Sequence, residues 1–228
     1  WYPRCRHHLA TSATITAGMN RRAFLQSVAV AATLPRAFAQ SAPTAIKLTD
    51  TLTLITGAGN NILSLAGDGA LLVDCGDAAH SADVLRLTGK VATVINTHWH
   101  PESTGANDAL AQSGAKLVSS VATQLWMTQD IYHDWEKKTY PKRAKTAQPT
   151  QTFYETLKLT ANGETIEMGL LPMAHTDGDI YVKFPKANVI ATGDVLQPAR
   201  LPALDWFCGG WIGGMQNGLR TLLTLGDD

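Results

Sequence analysis

At 228 residues, 45% of them apolar and 17% charged, the chain is long enough for one large or two small domains with a substantial buried core. Its 19 basic and 19 acidic residues balance to zero, but unevenly. Residues 1–39 hold five arginines (Arg4, Arg6, Arg21, Arg22, Arg36) and no acid, so residues 40–228 carry 14 basic against 19 acidic groups, a net of −5, and nucleic acid is not an expected partner.

The chain opens on Trp1, and its first methionine is Met19. From there it reads "MNRRAFLQSVAVAATLPRAFAQSAP": Arg21-Arg22, an apolar run over Ser27–Leu34, and an Ala37-Phe38-Ala39 cleavage pattern before Gln40. A membrane span needs ~20 apolar residues, and this run is far shorter. "NRRAFLQ" resembles the twin-arginine export motif, which implies a mature protein exported already folded to the periplasm, with no membrane partner. Residues 1–18 are therefore read as upstream readthrough or a misassigned start, 19–39 as a removable signal, and 40–228 as the mature domain. Of the three cysteines, Cys5 falls outside that domain, and Cys75 and Cys208 read as poorly exposed thiols with no C-x-x-C spacing.

Within the mature chain, residues 40–46 read as a polar leader. Three short runs follow, "LTLITG", "NILSLAG" and "GALLVDCG", with Asp68-Gly69 as a hairpin turn between the second and third. Residues 78–88 fit a helix closed by Gly89, and 91–96 ("VATVIN") a buried strand. Helix is expected at 104–113 and 120–129, with a strand at "AKLVSS" between them. The segment 130–150, charged and aromatic with Pro141 and Pro149, reads as an insertion or lid. Short strands are expected near 165–168, 170–174, 180–184 and 188–192, and a helix near 213–225 after "CGGWIGG", whose glycines 209, 210, 213 and 214 read as turn residues. Strands with interspersed helices predict an α/β or α+β class with two sheets.

The chemistry concentrates in "THWHPESTG" (Thr97–Gly105). His98 and His100 follow a strand and share a side in an extended chain, because side chains alternate with period two. Pro101 disfavours the helical region for His100 and so reinforces the extended geometry. Glu102 continues the same parity. A third imidazole is offered by His175 in "AHTDGD" and a carboxylate by Asp194 in "VIATGDV", both at strand ends. Catalytic zinc takes three protein ligands and keeps one position open, and His98, His100 and His175 would supply that set with Asp194 orienting or bridging.

Taken in order, "LLVDCGD", "INTHWHPESTGAN", "AHTDGDIYVKF" and "NVIATGDV" resemble the metallo-β-lactamase-fold hydrolase superfamily over roughly residues 50–226. The resemblance implies a four-layer αββα sandwich with metal at the sheet edges, His98, His100 and His175 on a first metal, and Asp194 between two metals. The chain departs from the family's H-x-H-x-D-H, reading His98-Trp99-His100-Pro101-Glu102-Ser103, and a later G-H-G stretch has no counterpart. The domain is thus expected to lack the family's last strand and helix. With Glu102 and Asp194 as the only second-site ligands, one tight zinc is expected, and a second weak or absent.

The resemblance implies a hydrolase in which a metal-activated water attacks a small ester, lactone, thioester or lactam. Glu102 is expected to handle protons and Asp194 to orient the nucleophile. Two rivals stand beside it: a mononuclear iron dioxygenase on His98, His175 and Asp194, and a non-catalytic or degenerate metal-binding protein. Asp74 is expected to hold a ligand histidine by its second ring nitrogen, or else to be a plain turn acid. Ser103 is expected to cap the helix beginning near Thr104. His80 and His133 read as surface residues. Trp126, Tyr132, Trp135 and Tyr140 read as a substrate-facing lid or an aromatic satellite core.

Overall fold

A computed structural model describes residues 42–197 and 201–226. The expected signal at 19–39 and the segment 1–18 lie outside them. No helix among the described residues is long and apolar enough to cross a membrane.

The first sheet starts with β1 (Thr44–Lys47), β2 (Leu52–Thr56), β3 (Ile62–Leu65) and β4 (Ala70–Val73), an antiparallel series. Helix α1 (Ser81–Thr88) returns the chain to β5 (Val91–Ile95), which lies parallel to β4. The short helices α2 (Pro101–Thr104) and α3 (Asn107–Gln112) then lead to β6 (Lys116–Ser120), again parallel. Helix α4 (Val121–Met127) precedes the separate hairpin β7 (Ile131–His133) and β8 (Lys138–Tyr140), and β9 (Gln151–Phe153) completes seven strands in the order β1-β2-β3-β4-β5-β6-β9. The second sheet is an antiparallel meander of β10 (Thr156–Ala161), β11 (Glu164–Leu170), β12 (Ile180–Phe184) and β13 (Val189–Ala191). Helix α5 (Ile212–Leu225) follows.

Side-chain alternation sorts the apolar residues into layers. Leu63, Leu65, Leu71, Val73 and Ile95 of the first sheet meet Ile166, Met168, Val182 and Phe184 of the second in a shared core. The opposite face of the first sheet, through Ile62, Leu72 and Val94, packs on Val84 of α1 and Leu110 of α3. On the outer face of the second sheet, Tyr181 packs with Met215, Leu219 and Leu222 of α5. The result is helix, sheet, sheet, helix: the four-layer αββα sandwich.

Several local expectations need correction. Thr44–Lys47 is an edge strand and not a leader. All four residues are exposed, so it is held by backbone pairing to β2 and leaves no apolar signature. Residues 171–174 form a loop, with Met173 in the left-handed region (φ 57°), because Leu171 and Ala174 serve the cluster beneath α5. Strand β10 carries the alternation Leu157, Leu159, Ala161, which packs on the shared core. The helix expected at 104–113 is two short helices, α2 and α3. The 130–150 segment contributes Ile131 and Tyr140 to a satellite core with Trp99, Trp126, Met127 and Cys208, while Tyr132 and Trp135 stay exposed. Gly209 is a turn residue (φ 84°), whereas Gly213 and Gly214 belong to the first turn of α5. Cys75 and Cys208 are both buried and free.

Candidate metal centre

The strand ends that leave the shared core at one edge carry the polar residues. Strand β4 delivers Asp74, β5 runs into Thr97 and His98, the loop after β11 presents His175, and a single 3₁₀ turn after β13 (Gly193–Val195) presents Asp194. His100 is extended (φ −58°, ψ 147°) as Pro101 requires, and Pro101 occupies the first turn of α2 where its missing N–H costs nothing.

The three imidazoles pack edge to face, with ring centroids 4.9 Å (His98–His100), 5.0 Å (His98–His175) and 4.7 Å (His100–His175) apart. One donor atom each from His98, His100, His175 and Asp194 lies within 4.8 Å of all the others. Asp194 Oδ2 is 4.0 Å from His98 Nε2 and 3.9 Å from His175 Nε2. Glu102 stands outside this quartet, its side chain 44% exposed and Oε1 3.6 Å from His100 Nδ1.

Each ring is fixed from behind. His175 Nδ1 is 2.9 Å from the carbonyl oxygen of Ala203, which only accepts, so Nδ1 carries the proton. His100 Nε2 donates to Asp205 Oδ2 at 2.9 Å. Thr97 donates its hydroxyl proton to Asp74 Oδ2 at 2.7 Å, so its oxygen accepts from His98 Nδ1 at 2.9 Å. The nitrogens left facing inward are therefore His98 Nε2, His100 Nδ1 and His175 Nε2, each of which offers a lone pair when its ring is neutral. Two of them, His100 Nδ1 and His175 Nε2, stand 3.1 Å apart, and His98 Nε2 is fully buried with no hydrogen-bond partner.

Lone pairs at that distance repel unless a proton or a cation lies between them. Burial, and then the charges of His100 and His175, hold His98 well below the usual imidazole range, so it is neutral at pH 7. Burial lowers His175 as well, followed by the charge of His100 and partly opposed by the Ala203 hydrogen bond. Tetrahedral ligands about 2.0–2.1 Å from zinc stand about 3.3 Å apart, close to the His100–His175 spacing. The donor set and its geometry fit a divalent cation.

The expected Asp74–histidine contact is replaced by a relay. Asp74 accepts from Thr97 N (2.8 Å) and Thr97 Oγ1, and only Thr97 touches His98. Burial pushes the Asp74 carboxyl up to about 7, opposed by those two hydrogen bonds and assisted by the charges of Asp194 and Glu102. The relay needs room: a Cβ on Gly193 would meet the Thr97 side chain within 2.8 Å, and Gly193 is left-handed (φ 53°). Ser103 does not cap α2. It lies fully buried inside it, His100 is the N-cap, and Ser103 Oγ accepts from Asn60 Nδ2 at 2.8 Å.

His80 and His133 are buried, not superficial. His133 stacks on Trp135 (4.4 Å, 22°), with Nε2 3.5 Å from Asp205 Oδ1. Asp205 itself has no motif in the sequence. Burial raises its carboxyl, but the His100 hydrogen bond and charge and the Cys208 N–H outweigh that, and the net shift is downward. A cavity of about 220 Å³ opens beside the quartet, walled by His100, Glu102, Trp135, Tyr140, His175 and Asp194 among others.

Comparison with solved structures places this fold beside a metallo-beta-lactamase from Pontibacter korlensis (TM-score 0.62, 18% identity, 80% of this chain and 85% of that one). It also matches DIM-1 metallo-beta-lactamase (TM-score 0.62, 15% identity, 80% and 83%). A Cronobacter sakazakii (Enterobacter sakazakii) metallo-beta-lactamase with a HARLDQ motif aligns with TM-score 0.64, 14% identity, over 82% and 76%. At these identities the likeness is one of fold. A comparison with curated proteins finds no match. The family model of the metallo-beta-lactamase superfamily matches residues 55–225, from β2 to the last residue of α5, and the chain belongs to that superfamily.

Proposed function

We propose that the protein is a zinc-dependent hydrolase of a small ester, lactone, thioester or lactam. Superfamily membership and the His98, His100, His175 and Asp194 cluster support a metal-dependent hydrolase, and the observation that carries the reading is the set of three inward ring nitrogens, each ring held from behind by an outer hydrogen bond. Zinc held by the three imidazoles would lower the pKa of water to about 7 and polarise a carbonyl oxygen.

The chain's own groups do the rest. Asp194 Oδ2, 4.0 Å from His98 Nε2 and 3.9 Å from His175 Nε2, would orient the attacking water. Glu102, on the cavity wall and partly solvated, can take that water's proton and return it to the leaving group. Trp135 and Tyr140 help to wall the cavity, and its size fits a small molecule or one end of a larger one. Export by the twin-arginine route belongs to the same proposal and rests on Arg21-Arg22 and Ala37-Phe38-Ala39 alone.

The test is metal analysis of the purified protein joined to a panel of ester, lactone, thioester and lactam substrates. Bound zinc, turnover lost to a chelator and restored by zinc, and loss of both metal and turnover in His98→Ala are the expected results. Bound iron with oxygen uptake would favour an oxygenase on His98, His175 and Asp194. A folded H98A with unaltered turnover would leave a non-catalytic protein.

A further inference from the structure

Asp194 uses its two oxygens for different purposes. Oδ2 faces the imidazoles, 4.0 Å from His98 Nε2 and 3.9 Å from His175 Nε2. Oδ1 accepts from Asn60 Nδ2 at 2.7 Å. The same amide nitrogen lies 2.8 Å from Ser103 Oγ. An amide –NH₂ has two hydrogens and no lone pair to offer, so it can satisfy two acceptors at once but can never ligate a metal.

The position is built, not incidental. Asn60 sits in the turn between β2 and β3, where its backbone N–H donates to Glu102 O at 3.0 Å. On the other side, the Cys75 N–H bonds Ser103 O at 2.8 Å and fixes α2 against the end of β4. Ser103 is fully buried and Asp194 nearly so, which makes each acceptor costly to leave unpaired. On the side of the cluster that Asn60 occupies, the oxygens open to a further cation are Asp194 Oδ1 and Ser103 Oγ. Both already meet the partial positive charge of one amide.

We infer that Asn60 stands in for a second cation: its side-chain amide clamps Asp194 and Ser103, confines Asp194 to one metal through Oδ2, and makes the centre mononuclear. The inference rests on the zinc reading above and adds the residue that sets the metal count. Asn60 acts through Asp194 and is a positioning residue. Replacing it by aspartate keeps its size while turning the donor into an acceptor. Two carboxylates and a hydroxyl then surround the spot the amide held, and repulsion between the carboxylates is relieved when a cation enters.

The experiment counts zinc in the full chain by native mass spectrometry and by titration against a chromophoric chelator, and follows thermal melting over the same titration. Wild type is expected to take one tight equivalent and to reach its final melting temperature at that ratio. N60D is expected to take two, with the second bound at least about tenfold more tightly than any second ion in the wild type, and to gain melting temperature in two steps. Two tight equivalents in the wild type overturn the proposal, whether or not N60D folds. So does an N60D protein that stops at one equivalent and melts like the wild type. No tight zinc in the wild type overturns the zinc reading and this proposal with it, so the two failures differ as none against two.

Discussion

Each imidazole of the centre is held by a different acceptor: a main-chain carbonyl for His175, a carboxylate for His100, a hydroxyl for His98. All three favour one tautomer, and that choice decides which nitrogen can offer its lone pair to the space the rings share. Asp205→Ala removes the acceptor of His100 and leaves a partly buried N–H unpaired. Zinc affinity, read by competition with a chelator, should fall about 10- to 100-fold while the circular dichroism spectrum stays native; unchanged affinity would show that the ring is oriented by packing alone. Thr97→Val removes the hydroxyl between Asp74 and His98 at almost constant volume. It should cost about 1–3 kcal/mol in denaturant unfolding, because two buried groups lose a partner. His98, His100, His175 and Asp194 could be picked from the sequence because each sits at a strand end in a short polar motif. Asn60, Thr97, His133 and Asp205 could not. Their roles arise from contacts such as His100–Asp205 and Asn60–Asp194, 105 and 134 positions apart, that exist only once the sheets have packed.

At the scale of elements, the loop from Asp205 to Trp211 packs against the loop that carries His175. Asp205 N donates to His175 O (2.9 Å) and Trp211 N to Met173 O (3.2 Å), so two irregular backbones lie directly against each other. Gly210 permits this, since a Cβ there would overlap His175 O. Gly210→Ala should therefore lower stability by about 1–3 kcal/mol and weaken zinc binding, because the displaced group is the backbone of His175, a proposed ligand. A melting temperature and zinc affinity equal to wild type would contradict this close packing. The elements most legible in the sequence were those buried on both faces, such as Ala70–Val73 and Val91–Ile95, where apolar runs are nearly continuous. Strand β1 was hidden because its four side chains are all exposed and only its backbone is engaged. The reverse holds at 171–174, where Leu171 and Ala174 serve a helix and not a sheet.

At the scale of the molecule, the shared core between the sheets holds the strand ends in register, and the centre sits where those strands stop. Phe184, fully buried in that core, should cost about 3–5 kcal/mol when replaced by alanine, measured by denaturant unfolding. The centre in turn ties the two sheets together, because His98 follows a strand of the first sheet while His175 and Asp194 follow strands of the second. A cation shared among them should stabilise the whole. At a free zinc concentration 100-fold above its Kd the gain is about 2.7 kcal/mol, and chelation should lower the melting temperature by about 5–10 °C. The most direct test of the account is anomalous diffraction at the zinc edge from crystals of the protein grown with zinc. The account predicts one strong peak about 2.0–2.1 Å from His98 Nε2, His100 Nδ1 and His175 Nε2. A peak that touches fewer than three of these nitrogens, or none at all between them, would contradict it.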